Sequence, residues 1–321
     1  MSSLNHRSIE TNGINMHFVE QGEGPLVIMC HGWPESWYSW RHQLSALAEA
    51  GIHAVAPDQR GYGQTDKPEA IEAYNILQLT GDIVGLVSAL GEEKAIIVGH
   101  DWGAPVAWHC ALLRPDIFYA LGLLSVPYLP RIPGTMRATE AMSRMAGEQE
   151  FYQLYFQEPG KAEAEFEADV RKSMVAFLYS ASGDPPPEQR WRFLFGKHEK
   201  LMDTVTVPDT LPNWLTEADL DFFTKEFEQT GFRGGLNWYR NIDRMSELTP
   251  FLIGAKIQQP TLFVAGEIDA VVLMYGEQIK TLEQNIPNLK KKVMIPGAGH
   301  WIQQERPSEV NAQVIEFLNG L

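Results

Sequence analysis

The first third of the chain alternates two hydrophobic patterns. INMHFVEQG (14–22) alternates apolar and polar residues and stops at Gly22, as a half-buried strand does. PLVIMC (25–30) is a continuous apolar run, the pattern of a strand covered on both faces. SWRHQLSALAEAG (39–51) has helical spacing and ends at Gly51. IHAVAPD (52–58) then predicts a strand, LTGDIVGLVSALG (79–91) a helix, KAIIVG (94–99) a strand, PVAWHCALLRPD (105–116) a helix and ALGLLSV (120–126) a strand. Strands alternating with helices imply an α/β fold, with a mostly parallel sheet covered on both sides.

The pattern changes near Pro127. From about Tyr128 to Met245 it is helical and irregular, rich in aromatics and methionines, with the loop SGDPPPEQ (182–189) and no clear buried strand. Alternation then returns with QPTLFVAG (259–266), GEQIKTLEQNIP (276–287), KKVMIPG (291–297) and a last helix, PSEVNAQVIEFL (307–318). The simplest organisation is one α/β core built from residues 1–127 and 247–321, with a helical cap, residues 128–246, inserted between them. A cap over the C-terminal edge of a parallel sheet encloses the place where such sheets bind ligands.

The chain has 321 residues, 44% of them hydrophobic and 21% charged, enough for a sizeable core and against disorder. A formal charge of −15 repels phosphate backbones, so no nucleic-acid partner is expected. The one basic run, Lys290–Lys292, reads as the solvated start of a strand. Cys30 and Cys110 sit in apolar settings and read as buried small residues rather than a disulfide. No metal-type Cys/His spacing, signal core or run of membrane-spanning length is visible, and a soluble protein of a reducing compartment, the cytoplasm, is expected. Nothing in the pattern decides between monomer and homodimer.

The candidate chemistry begins at IIVGHDWGAPVAWH (96–109). A strand ends in Gly-His-Asp-Trp-Gly and passes at once into a helix, the outline of a nucleophile elbow with Asp101 where serine usually stands. Gly99 and Gly103 suit the sharp turn. The bland alternative is an acidic helix N-cap. Two later segments favour the elbow. GAGHWIQQERP (297–307) puts His300 on a glycine-rich loop after the last strand, and LFVAGEIDAVV (262–272) puts Asp269 on the loop after the strand before it. Nucleophile, acid and histidine then follow the chain order of an α/β hydrolase, each just past a strand end. Glu267 is a rival for the acid; Asp269 is preferred. In HGWPESW (31–37) and in the elbow, the backbone N–H groups of Trp33 and Trp102 are the expected oxyanion hole, although Gly32 and Pro34 also explain a tight turn without function. Glu35 and His100 lie beside the site, either to orient a water or simply to bond one another.

A carboxylate nucleophile sets the reaction. Attack on an ester would give a reactive anhydride. Attack on a strained or polarised saturated carbon instead forms an alkyl ester on Asp101. Water activated by His300, itself oriented by Asp269, then hydrolyses that ester. A halide leaves without a proton, whereas an epoxide oxygen needs a donor.

The motifs HGWPESW, GHDWGAPVAW, YQLYFQEPG (152–160), GFRGGLNWYRN (231–241) and GAGHWIQQERP resemble those of the soluble epoxide hydrolases, over nearly the whole chain. The core motifs are shared with haloalkane dehalogenases; the two cap motifs are more specific. The resemblance implies that Tyr152 and Tyr239 donate to the epoxide oxygen, that water and a hydrophobic epoxide give a vicinal diol without a cofactor, and that the phosphatase domain of the vertebrate forms is lacking. Tyr155, three residues after Tyr152, is a nearby alternative. A haloalkane dehalogenase shares Asp101, His300 and Trp102 but has no use for two cap phenols. A non-catalytic receptor on the same fold need not keep the constellation, and no serine supports an esterase. Among Met142, Met145, Phe177, Trp191, Phe193, Phe195, Phe222 and Phe223, most are expected to hold cap to core and some to line an apolar tunnel.

Overall fold

The computed structural model describes residues 4–134 and 136–321. The first two strands, β1 (Asn5–Thr11) and β2 (Ile14–Gln21), form an antiparallel hairpin across Asn12 and Gly13, whose φ angles are 45° and 76°. That Asn-Gly pair is a two-residue hairpin turn. The strand before it went unpredicted because β1 is an exposed edge with no apolar face. The expected alternation follows: β3 (Leu26–Cys30), α1 (Arg41–Glu49), β4 (His53–Pro57), α2 (Ile76–Ala89), β5 (Ala95–His100), α3 (Gly103–Leu113) and β6 (Phe118–Leu124).

Between β6 and the next strand of this sheet lies an almost wholly helical insert: α4 (Ala138–Ala146), α5 (Tyr152–Tyr155), α6 (Lys161–Phe166), α7 (Val170–Ala181), α8 (Glu217–Thr230), α9 (Arg233–Tyr239) and α10 (Ile242–Leu248). Its short antiparallel pair, β7 (Gln149–Phe151) with β8 (Leu194–Gly196), was too brief to read from periodicity. The core resumes with β9 (Thr261–Gly266), α11 (Ala270–Met274), α12 (Gly276–Lys280), α13 (Leu282–Asn285), β10 (Leu289–Ile295), α14 (Ile302–Glu305) and α15 (Pro307–Asn319). The single helix expected over 276–287 is therefore two short ones. Lys290 and Lys292 are exposed on β10, as a solvated strand start should be.

The eight strands order as β1-β2-β4-β3-β5-β6-β9-β10, parallel from β4 onward. Alternate side chains of the central strands enter two separate cores. Ile28, Cys30 and Ile97 pack towards α2 and α3, while Val27, Met29 and Val98 pack towards α1 and α15. Each such side chain contributes roughly 1.5–3 kcal/mol on burial. Both cysteines are buried and free. Among the described residues no helix is long and apolar enough to cross a membrane.

The insert is fastened to the loop after β10. His300 N–H donates to Ala181 O at 2.9 Å, and Trp301 Nε1 donates to Leu178 O at 2.8 Å. These are carbonyls of the last turn of α7, which have no partner within their own helix. Glu305 Oε2 accepts from both Gly183 N–H and Gly299 N–H at 2.8 Å, and its Oε1 accepts from Trp301 N–H at 2.9 Å. The two backbones touch there: a Cβ on Gly299 would lie 2.3 Å from Gly183 N.

Candidate active site

β5, β9 and β10 end at the same edge of the sheet, so the loops after them converge. Asp101 occupies the turn from β5 into α3 with φ at 49°, a strained conformation that aspartate tolerates better than most residues. The turn is possible because a Cβ on Gly99 would stand 2.1 Å from Gly103 O, and one on Gly103 would stand 2.0 Å from Cys30 O. The loop after β3 presses equally close. A Cβ on Gly32 would lie 2.3 Å from Asp101 Oδ1, and the next residue, Trp33, donates its N–H to that same oxygen at 2.8 Å. Trp102 follows Asp101 and is 8% exposed.

His300 reaches across from the loop after β10. Its Nε2 lies 3.4 Å from Asp101 Oδ2 and its Nδ1 lies 2.9 Å from Asp269 Oδ2. Asp269 is held in turn by Val271 N–H at 2.8 Å, at the start of α11. Glu267 is exposed, so the acid beside His300 is Asp269. Burial alone would lower the pKa of His300, but the charges and hydrogen bonds of Asp269 and Asp101 outweigh it and hold the value well above 6.5.

Glu35 and His100 are buried together behind this group. His100 Nδ1 lies 2.7 Å from Glu35 Oε2, and its Nε2 donates to His300 O at 2.7 Å. Glu35 Oε2 also accepts from Gly32 N–H at 2.8 Å, and Oε1 from Gln303 Nε2 at 2.9 Å. Burial opposes its charge, yet the charge and hydrogen bond of His100, then His31 and the Gly32 N–H, hold the carboxyl down at about 2. The pair therefore bonds to itself and to the backbones on either side of Asp101.

On the other side of Asp101 lies a cavity of about 350 Å³ lined by Trp102, Tyr152 and Tyr239, by the α3 face, and by Met142, Met245 and Met274. The rings of Tyr152 and Tyr239 lie 6.1 Å apart. Tyr152 OH accepts from Gln153 Nε2 at 2.7 Å, which leaves its own proton free. Burial first, and then the Asp101 charge, push the Tyr239 phenol well above 10, and burial does the same to Tyr152. Both are donors at neutral pH. Tyr155 donates to Glu165 Oε2 at 2.7 Å and is not part of the cavity wall.

Of the eight apolar cap residues singled out in the sequence, Met142 lines the cavity. Trp191 and Phe193 pack on the Tyr152 ring, Phe222 stacks on Tyr38, and Met145 is exposed. Two residues that sequence reasoning missed hold the His300 loop. Ser125 Oγ donates to His300 O at 2.8 Å, and Glu305 takes the N–H groups on either side of His300. Neither had a signal in the sequence: Glu305 stands beside polar residues at the end of α14, and Ser125 follows an apolar strand. Among the described residues no cluster of three or more histidine, cysteine or acidic side chains is placed to hold a metal ion.

A sequence profile described as α/β hydrolase fold matches residues 25–307. Epoxide hydrolase A of Mycobacterium tuberculosis is 47% identical over 100% of this chain and 99% of that protein. Epoxide hydrolase 3 of Siraitia grosvenorii is 41% identical over 99% of each. Among solved structures, an epoxide hydrolase from an endophytic Streptomyces superposes with a TM-score of 0.95 at 49% identity, covering 99% of this chain and 96% of that one. Epoxide hydrolase A from Mycobacterium thermoresistibile gives 0.93 at 48% identity over 99% of each chain. With an aspartate at its elbow and relatives aligned from end to end, insert included, the chain belongs to the epoxide hydrolases of the α/β-hydrolase fold family.

Proposed function

We infer that this protein converts hydrophobic epoxides to vicinal diols through a covalent ester on Asp101. The observation that carries the reading is the sharing of one mostly apolar cavity by a carboxylate and two protonated phenols, Asp101 with Tyr152 and Tyr239. A halide leaving group has no use for the phenols; an opening epoxide needs a proton donor.

The mechanism follows from the contacts. Trp33 N–H holds Asp101 Oδ1, so Oδ2 is the attacking oxygen. Its lone pair forms the C–O bond to one ring carbon as the ring C–O bond breaks, and the leaving oxygen takes a proton from Tyr152 or Tyr239. Removing the Asp101 charge takes away one of the two carboxylates that keep His300 protonated. Its proton then returns to the phenolate through solvent, and His300 becomes a base. It accepts a proton from water as the water oxygen adds to the ester carbonyl. Negative charge builds on Oδ1, already under the Trp33 N–H, with the Trp102 N–H as second donor. Collapse of the tetrahedral centre releases the diol and restores the carboxylate. Glu35 and His100 act through the loops they bond, holding Gly32 and the His300 carbonyl in register.

Residues 128–246 serve as the cap that closes the cavity over the sheet edge. The two buried free cysteines support a cytoplasmic, reducing location. Single turnover of an aryl epoxide in heavy-oxygen water tests the scheme. Ordinary oxygen in the first diol, derived from Asp101, is expected; heavy oxygen in that diol rules out the covalent ester. Halide released from a chloroalkane with no diol from any epoxide overturns the substrate class.

A further inference from the structure

The cavity is apolar along most of its wall; away from Asp101 and the two phenols its polar side chains include Arg131, Gln153, Ser246 and Thr249, and α3 contributes one, His109. Pro105, Trp108, His109 and Leu112 face it from positions i, i+3, i+4 and i+7 of that helix. His109 lies six residues beyond Gly103, about 9 Å along the helix axis at 1.5 Å per residue. We propose that His109 is a specificity residue, an obligate hydrogen-bond acceptor for a hydroxyl or amide N–H carried at the end of the substrate remote from the epoxide ring. This rests on the epoxide reading above and narrows it to a substrate class.

The ring's protonation follows from its contacts. His109 Nδ1 lies 2.7 Å from Pro105 O, one turn back on the same helix. A carbonyl oxygen only accepts, so Nδ1 carries the proton. Burial pulls the pKa down to about 4, against the weaker opposing effect of the Pro105 bond, so the ring is neutral at physiological pH. A neutral imidazole protonated at Nδ1 has only a lone pair on Nε2. With Nδ1 turned back onto the helix, the Nε2 edge is the one left for the cavity. Among the described residues no donor bonds it. The nearby phenol Tyr128 cannot serve, because its hydroxyl proton is committed to Ala255 O at 2.9 Å.

Once a substrate displaces water from the cavity, an acceptor left without a donor is costly, and a donor on the substrate relieves that cost. Sites with a fixed buried polar partner discriminate against analogues that lack the matching group more strongly than apolar pockets discriminate by size. Epoxides with a donor about 9–12 Å from the ring, the span along α3, are therefore favoured over plain alkyl epoxides of the same length.

The test uses a terminal epoxide with an ω-hydroxyl on a chain of about eight carbons beyond the ring, and its isostere ending in methyl, a span of about 10 Å matched to α3. The readout is the ratio of their kcat/KM values, in which purely structural effects cancel. His109→Phe is expected to lower the alcohol-to-alkyl ratio about three- to tenfold relative to wild type, the range of one neutral hydrogen bond. His109→Leu gives the same readout should the phenylalanine variant fail to fold. An unchanged ratio in the folded variant overturns the role of His109 and leaves the epoxide reading standing. No diol from either substrate overturns both.

Discussion

Gly32→Ala tests how tightly the nucleophile is held. Gly32 does not need glycine for its backbone conformation, so the added methyl acts through space alone. Its Cβ would lie 2.3 Å from Asp101 Oδ1 and 2.4 Å from Asp101 Cβ, where ordinary contact begins at 3.4 Å. Asp101 or the loop must therefore shift by about 1 Å. The same shift pulls the Trp33 N–H, one residue on, away from Oδ1. Misplacement of a reacting group by about 1 Å costs on the order of a hundredfold in rate, or about 2.7 kcal/mol of barrier. The assay is a rapid-quench measurement of Asp101 alkylation by an aryl epoxide under single-turnover conditions, with a thermal melt as the check on folding. The expected result is a fold that still melts cooperatively with alkylation slowed about a hundredfold. Alkylation within about threefold of wild type would show that the site absorbs the methyl without moving the carboxylate, and the positional argument would fail.

His300→Gln should alkylate but not turn over, leaving a mass adduct on the peptide that carries Asp101; an enzyme that shows no adduct contradicts the two-step scheme. Tyr152→Phe and Tyr239→Phe should each slow ring opening by roughly ten- to a thousandfold, the cost of one oxyanion-type donor. Pre-steady-state alkylation rates read this directly, and unchanged rates in both variants refute the assignment. In Asp101→Asn, His300 keeps Asp269 but loses a neighbouring charge, so its pKa should fall below the wild-type value in a ring-nitrogen NMR titration; an unmoved value is the contrary result. The raised pKa also has a sign for stability. The native state holds the His300 proton more tightly than the unfolded chain, so its contribution is full below pH 6.5 and is lost as pH rises through the native value. Wild type should therefore lose more stability than His300→Gln between pH 6 and 9 in denaturant melts; equal losses would deny the shift.

Much of the core was legible because buried parallel strands write continuous apolar runs: β3, β5 and β9 are buried at every position, and β6 at every position but Tyr119. The edge hairpin was not, since β1 has one buried residue in seven and owes its place to backbone pairing with β2. Asp101, His300 and Asp269 could be found from chain order, because strand ends in such a sheet meet at one edge. Their supports could not. Ser125 and Glu305 act on backbone atoms of the His300 loop, and a contact between a side chain and a distant amide leaves no period in the sequence. The cap motif favours Tyr152 over Tyr155; in the fold Tyr152 lines the cavity, while Tyr155 bonds Glu165 away from it.

The seam where Gly183 meets Gly299 bears on how this protein can be rebuilt. Glu305 ties one amide of the insert to the two amides that bracket His300, and α7 hands its last carbonyls to the same loop. The insert is thus part of the mould in which the general base is cast. A chimaera that imports a foreign insert to change substrate scope must carry glycine at the Gly183 position and a helix ending in register with Leu178 and Ala181. Without them, the transplanted segment would shift the histidine before it altered the pocket.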